Sequence, residues 1–157
     1  MTEKLPPILA AEDETSDAMI LKLAFQRANL PHPLVVVGNG QEAVDYLRGS
    51  GRHGDRSLYP LPGLIVLDLK MPRMNGFDVL EWLARQPECK EIPAVILSSS
   101  SDESDMRKAR ELGAREYFVK PHAFSDLIAI VQQLHTRWLA NALDSSRDIL
   151  VAKPLRF

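Results

Sequence analysis

Five short apolar runs recur along the chain: Ile8-Leu9-Ala10-Ala11, Leu34-Val35-Val36-Val37, Leu64-Ile65-Val66-Leu67, Ala94-Val95-Ile96-Leu97 and Tyr117-Phe118-Val119. None alternates apolar with polar positions. A continuous apolar run marks a strand covered on both faces, the habit of parallel sheets in α/β folds. Amphipathic stretches lie between these runs. Leu21, Ala24, Phe25 and Ala28 share one helical face, with Thr15 or Ser16 as N-cap and Asp17 in the first turn. Ala43, Val44 and Leu47 follow the turn signal Gly38-Asn39-Gly40, and Phe77, Leu80 and Leu83 follow Asn75-Gly76. Ser100 and Glu103 fit a capping box ahead of Met106, Ala109 and Leu112, and Gly113 ends that helix. Leu127, Val131, Leu134 and Trp138 line up on the last helix. The order predicts a (βα)5 α/β chain, which right-handed crossovers wind into a five-stranded parallel sheet with helices on both faces.

Two segments fall outside this pattern. Residues 49–63 contain four glycines and two prolines and predict a long loop before the third strand. Residues 143–157 follow the last helix as a tail too short for an output domain, so the folded unit is expected over residues 1–142.

Composition narrows the function classes. With 45% hydrophobic and 25% charged residues the chain is globular in type, and a net charge of −2 gives no electrostatic case for nucleic acid. The single cysteine, Cys89, excludes an intrachain disulfide and suits a reducing compartment. No stretch approaches the roughly 20 apolar residues that span a bilayer, and the start Met1-Thr2-Glu3-Lys4 carries no signal-peptide core. A cytoplasmic protein without a membrane or nucleic-acid partner is expected.

Ligands of open parallel sheets bind at the carboxyl ends of the strands, so the residues there identify the site. Glu12-Asp13-Glu14 follow the first strand, Asp68 the third, Ser98 the fourth and Lys120-Pro121 the fifth. An acid cluster, a single acid, a hydroxyl and an ammonium thus share one rim. Carboxylates held within about 4–6 Å repel one another, and a hard cation with oxygen preference such as Mg2+ relieves that repulsion. An aspartate is ionised at neutral pH and attacks phosphorus without a general base, while a cation and an ammonium neutralise the incoming phosphoryl group.

The run Asp68-Leu69-Lys70-Met71-Pro72-Arg73-Met74-Asn75-Gly76 resembles the phosphoacceptor motif of the response regulator receiver family. The Ile8–Glu14 start and the Lys120-Pro121 end match that family's other two signatures. The resemblance implies a receiver of a two-component phosphorelay that takes a phosphoryl group from a sensor histidine kinase on Asp68 and then changes its protein-binding surface. It implies a signalling protein and not a conventional enzyme. The resemblance also implies Mg2+ held by Asp13 and Asp68, by Glu12 through water and by the Lys70 backbone carbonyl. It implies Lys120 on the phosphoryl group, a cis peptide before Pro121, and Ser98 and Tyr117 as the switch pair. Output is expected through a downstream protein or a phosphotransfer protein. Ser98 stands where threonine is commoner and lacks the methyl that restricts χ1. The long 49–63 loop and the Trp138-Leu139 helix ending are similar to stand-alone regulators that partner phytochrome-type kinases.

Other readings are weaker. A haloacid dehalogenase type of phosphatase needs an acid two residues after the nucleophile, where this chain has Lys70. A dinucleotide-binding protein needs a Gly-x-Gly-x-x-Gly after a strand, and none occurs. His32, His53, His122 and His135 share no metal-ligand spacing, and Cys89 lies in a polar stretch as an incidental residue. Ile128, Ile130 and Leu139 lie off the buried stripe of the last helix, which suggests a homodimer through that helix and the tail.

Overall fold

A computed structural model describes residues 5–140 of the 157. The strands are β1 (Ile8–Ala11), β2 (Leu34–Val37), β3 (Leu64–Leu67), β4 (Ala94–Ser98) and β5 (Glu116–Val119). The helices are α1 (Thr15–Ala28), α2 (Gly40–Arg48), α3 (Gly76–Ala84), α4 (Glu103–Glu111) and α5 (Phe124–Leu134). All strand pairs are parallel, in the order β2-β1-β3-β4-β5. The predicted (βα)5 architecture is therefore what the chain adopts.

The unbroken apolar runs have a direct cause. Successive side chains of a strand point to opposite faces, and both faces here are covered. Leu9, Ala11, Ile65, Leu67 and Ile96 pack into one cluster with residues of α2 and α3. Ile8, Ala10, Leu64, Val66, Val95 and Leu97 pack into the other with α1 and α5. Central strands β1, β3 and β4 are wholly buried, whereas edge strands β2 and β5 are mostly half-buried. Cys89 is part of the first cluster, so this residue of a polar stretch serves as a small core hydrophobe. No helix among the described residues is long and apolar enough to cross a membrane.

Local structure departs from the sequence expectations in several places. Helix α1 begins after Glu14, and neither Thr15 nor Ser16 caps it. Helix α4 is preceded by Asp102; Ser100 instead donates its hydroxyl to Asp105 Oδ2 at 2.6 Å and accepts from the Asp102 amide. The capping box occurs on α3, where Asn75 and Asp78 each accept from the other's backbone amide. The 49–63 loop makes specific contacts with α2. Its Arg56 guanidinium donates to the carbonyls of Tyr46 and Leu47, completing the last turn of α2, and His53 is buried between Tyr46 and Tyr59.

The last helix changes pitch after Leu134. Residues His135–Leu139 form a π turn, so Leu139, five residues on, re-enters the core and is 1% exposed. Trp138, expected on the buried stripe, is half-buried and donates its indole N–H to Glu116 at 2.6 Å; Arg137 pairs with the same buried carboxylate. Ile128 and Ile130 also pack against the α1/α5 cluster, so the apolar residues off the stripe are used within the fold. The 143–157 tail, and its part in any dimer, lies outside the described residues.

Gly76 shows how tightly the β3–α3 connection is closed. A Cβ there would sit 2.4 Å from the Asp68 carbonyl oxygen and 3.1 Å from Leu69 Cα, both backbone atoms. Gly76→Ala is expected to lower stability by about 1–3 kcal/mol, the usual range for overpacking. Urea unfolding of the variant measures this, and an unchanged midpoint would disprove the close approach.

Candidate functional site

The strand order reverses direction at β1, which has β2 on one side and β3 on the other. Such a switch point opens a crevice at the carboxyl ends of the strands. Glu12 directly follows β1, Asp68 follows β3, and Lys120 follows β5. Glu12 and Asp68 are buried, and Asp13 is exposed beside them. One carboxylate oxygen from each of Glu12, Asp13 and Asp68 lies within 4.8 Å of the others.

Lys120 spans this group from the far strand. Its Nζ donates to Glu12 Oε1 at 2.7 Å, Asp17 Oδ2 at 2.8 Å and Asp68 Oδ2 at 2.9 Å. The Lys120 amide donates to the Ser98 carbonyl at 2.7 Å, which ties the base of the side chain to β4. The peptide that follows it is trans, as is every peptide bond among the described residues, which corrects the expected cis peptide before Pro121. Trans is intrinsically favoured by about 0.5–1 kcal/mol before proline, and the ammonium reaches all three acids from that isomer.

Ser98 and Tyr117 form a neighbouring group. Ser98 is fully buried and its hydroxyl oxygen accepts from the Ser100 amide at 3.2 Å. Tyr117 donates its hydroxyl to the Ser100 carbonyl at 2.8 Å. Burial pushes the Tyr117 phenol up, with hydrogen bonds to Ser100 and Ser98 acting against it. The two expected switch residues are thus linked through Ser100. Lys70 is exposed on the β3–α3 connection, its amide 3.3 Å from Asp68 Oδ1. Two participants escaped the sequence reading. Asp17 is expected there only as first-turn charge, and Ser100 only as a cap; the acid's position one turn into the helix after the acidic cluster was the available signal.

Four carboxylates, those of Glu12, Asp13, Asp17 and Asp68, and one ammonium leave an excess of negative charge. Burial and the neighbouring Asp68 charge raise Glu12 to about 7, even though Lys120 pulls it the other way. Burial disfavours the Lys120 ammonium, but hydrogen bonds to Asp17, Glu12 and Asp68 outweigh that and hold its pKa well above the usual lysine value. A crowded, all-oxygen donor set with one acid near neutrality fits a divalent cation, whose charge would offset the repulsion.

This has a consequence for stability. Glu12 sits near 7 in the folded protein against an ordinary 4.5, so the native state retains a proton that the unfolded chain releases. Stability without added metal is expected to fall as pH rises from about 5 to 8. A divalent cation that binds the native state is expected to restore it at the alkaline end, with Mg2+ at millimolar concentration as the probe, and Glu12→Gln is expected to flatten the pH slope. Thermal melts across that range, with and without Mg2+, measure both effects; a flat profile for the unsubstituted protein would count against the crowded-acid account.

Residues 8–132 match the family model for the response regulator receiver domain. Response regulator Rcp1 of Synechocystis sp. is 32% identical over 139 residues, covering 87% of this chain and 92% of Rcp1. The crystal structure of a phosphorylated cyanobacterial phytochrome response regulator, RcpA, superposes with a TM-score of 0.79 at 33% identity, over 87% of this chain and 96% of that one. The Mn2+-bound form of Rcp1 superposes with a TM-score of 0.75 at 29% identity, over 96% and 99%. A five-stranded parallel sheet, an acid cluster across its rim and this family match agree, and the chain belongs to the response regulator receiver domain family.

Proposed function

We propose that Asp68 accepts a phosphoryl group from the phosphohistidine of a sensor kinase, with Mg2+ as the cation at Glu12, Asp13, Asp68 and the Lys70 carbonyl. The observation that carries this reading is the Lys120 ammonium 2.9 Å from the Asp68 carboxylate, inside a cluster of two further acids. An Asp68 oxygen attacks phosphorus, the new O–P bond forms as the P–N bond to the donor imidazole breaks, and that nitrogen keeps the electron pair and takes a proton from water. Bound Mg2+ supplies charge neutralisation for the phosphoryl oxygens. Lys120 holds the acceptor carboxylate in place and neutralises it from the other side.

The donor needs an approach to this rim, and α1 provides one. Ile20 and Leu23 are 43% and 47% exposed and, with Phe124 and Leu127, line a groove of about 380 Å3 that also includes Glu12 and Lys120. An apolar helix face carrying the phosphohistidine fits there. Similarity to a phytochrome response regulator favours a phytochrome-type kinase. After transfer, Ser98 turns from the Ser100 amide toward the phosphoryl group and Tyr117 follows through Ser100. This remakes the β4–α4–β5 surface for a downstream protein or phosphotransfer protein.

Incubation with acetyl phosphate and Mg2+ followed by intact-mass measurement is expected to add one phosphoryl group to the unsubstituted chain. It should add none to Asp68→Asn, and none when EDTA replaces Mg2+. Lys120→Gln should slow the reaction at least about tenfold, the scale of losing one electrostatic group at a reacting centre. Phosphorylation that persists in Asp68→Asn would overturn the assignment.

A further inference from the structure

Lysine has three N–H donors, and in this structure all three of Lys120 are used: by Glu12 at 2.7 Å, Asp17 at 2.8 Å and Asp68 at 2.9 Å. A phosphoryl group on Asp68 inherits that residue's hydrogen bond and brings further oxygens that compete for the other donors of this ammonium. The competition falls on its bonds to Glu12 and Asp17, and those two differ in what release costs. The Glu12 side chain is 5% exposed, whereas that of Asp17 is 40% exposed. A buried carboxylate that loses its cation remains unsolvated, which is expensive; one at the surface is rehydrated. Asp17 is therefore the partner that water replaces most readily.

Resting on the phosphoacceptor reading above, we propose that Asp17 is a positioning residue: it holds Lys120 in the unphosphorylated state and releases it when Asp68 is phosphorylated. Its location follows from the fold. Asp17 is the third residue of α1, in the first turn after the Glu12-Asp13-Glu14 cluster. The aligned N–H groups of the helix start stabilise its carboxylate there, whether or not Lys120 is bound. The contact belongs to one state only, so it stabilises that state and opposes phosphorylation by its own strength. Asp17 thus sets how readily the chain accepts the group, without touching phosphorus itself.

The test compares initial rates of phosphorylation by acetyl phosphate at fixed Mg2+, read by intact mass, in the full chain. Asp17→Asn keeps the shape and removes the charge, and is expected to raise the rate about two- to fivefold, the range for a half-exposed ion pair. Asp17→Glu, which can still reach an ammonium, should return toward the unsubstituted rate. The same Asp17→Asn substitution in a Lys120→Gln background should change nothing, because the residue it acts through is gone. An equal or lower rate in Asp17→Asn would overturn the proposal. So would an increase that persists without Lys120, which would mark a general field effect of the charge. If the unsubstituted chain takes up no phosphoryl group at all, the phosphoacceptor reading fails and this inference fails with it; uptake with no Asp17 effect defeats the inference alone.

Discussion

One ammonium among buried carboxylates is the constraint around which the rim is organised. Glu12 and Asp68 come from adjacent strands, and burial prevents water from screening their repulsion. Lys120 arrives from β5, two strands beyond β3, and neutralises both. Its side chain must cross the end of β4 to do so, which its amide bond to the Ser98 carbonyl supports. The raised pKa of Glu12 follows from its burial and from the neighbouring Asp68 charge in this cluster.

The rest of the molecule supplies rigidity to that arrangement. Central strands with no exposed residues anchor the acids, and both helical layers press on them. Gly76 lets α3 start close against the Asp68 backbone, where any larger residue would collide with it. On the opposite side, Ser98, Ser100 and Tyr117 form a hydrogen-bonded chain from β4 to β5. That chain lies next to the charge cluster without being part of it.

Features far from the rim are structural. Glu116 is buried at the start of β5 with Trp138 and Arg137 on its carboxylate, and the π turn is what brings those two side chains to it. The 49–63 loop is fastened to α2 by Arg56 and by the packing of His53 between two tyrosines. Its length therefore reflects a small accessory layer over the end of α2.

Much of this protein could be read from the order of its residues. Uninterrupted apolar runs identified every strand because a sheet covered on both faces leaves no polar alternation, and the residues after those runs named Glu12, Asp13, Asp68, Ser98 and Lys120 because strand ends are where parallel sheets bind ligands. Other features depended on distances that the chain order does not encode. The change of pitch after Leu134 arises from packing and from the buried Glu116, so a regular helical period placed Trp138 where Leu139 belongs. Helix starts differ by a residue or more, and Ser100 spends its hydroxyl on the Asp105 carboxylate instead of capping α4. The pairing of Asp17 with Lys120 joins residues 103 positions apart, and only tertiary structure could decide it, since a helix's first-turn acid carries no mark of the strand end that will meet it.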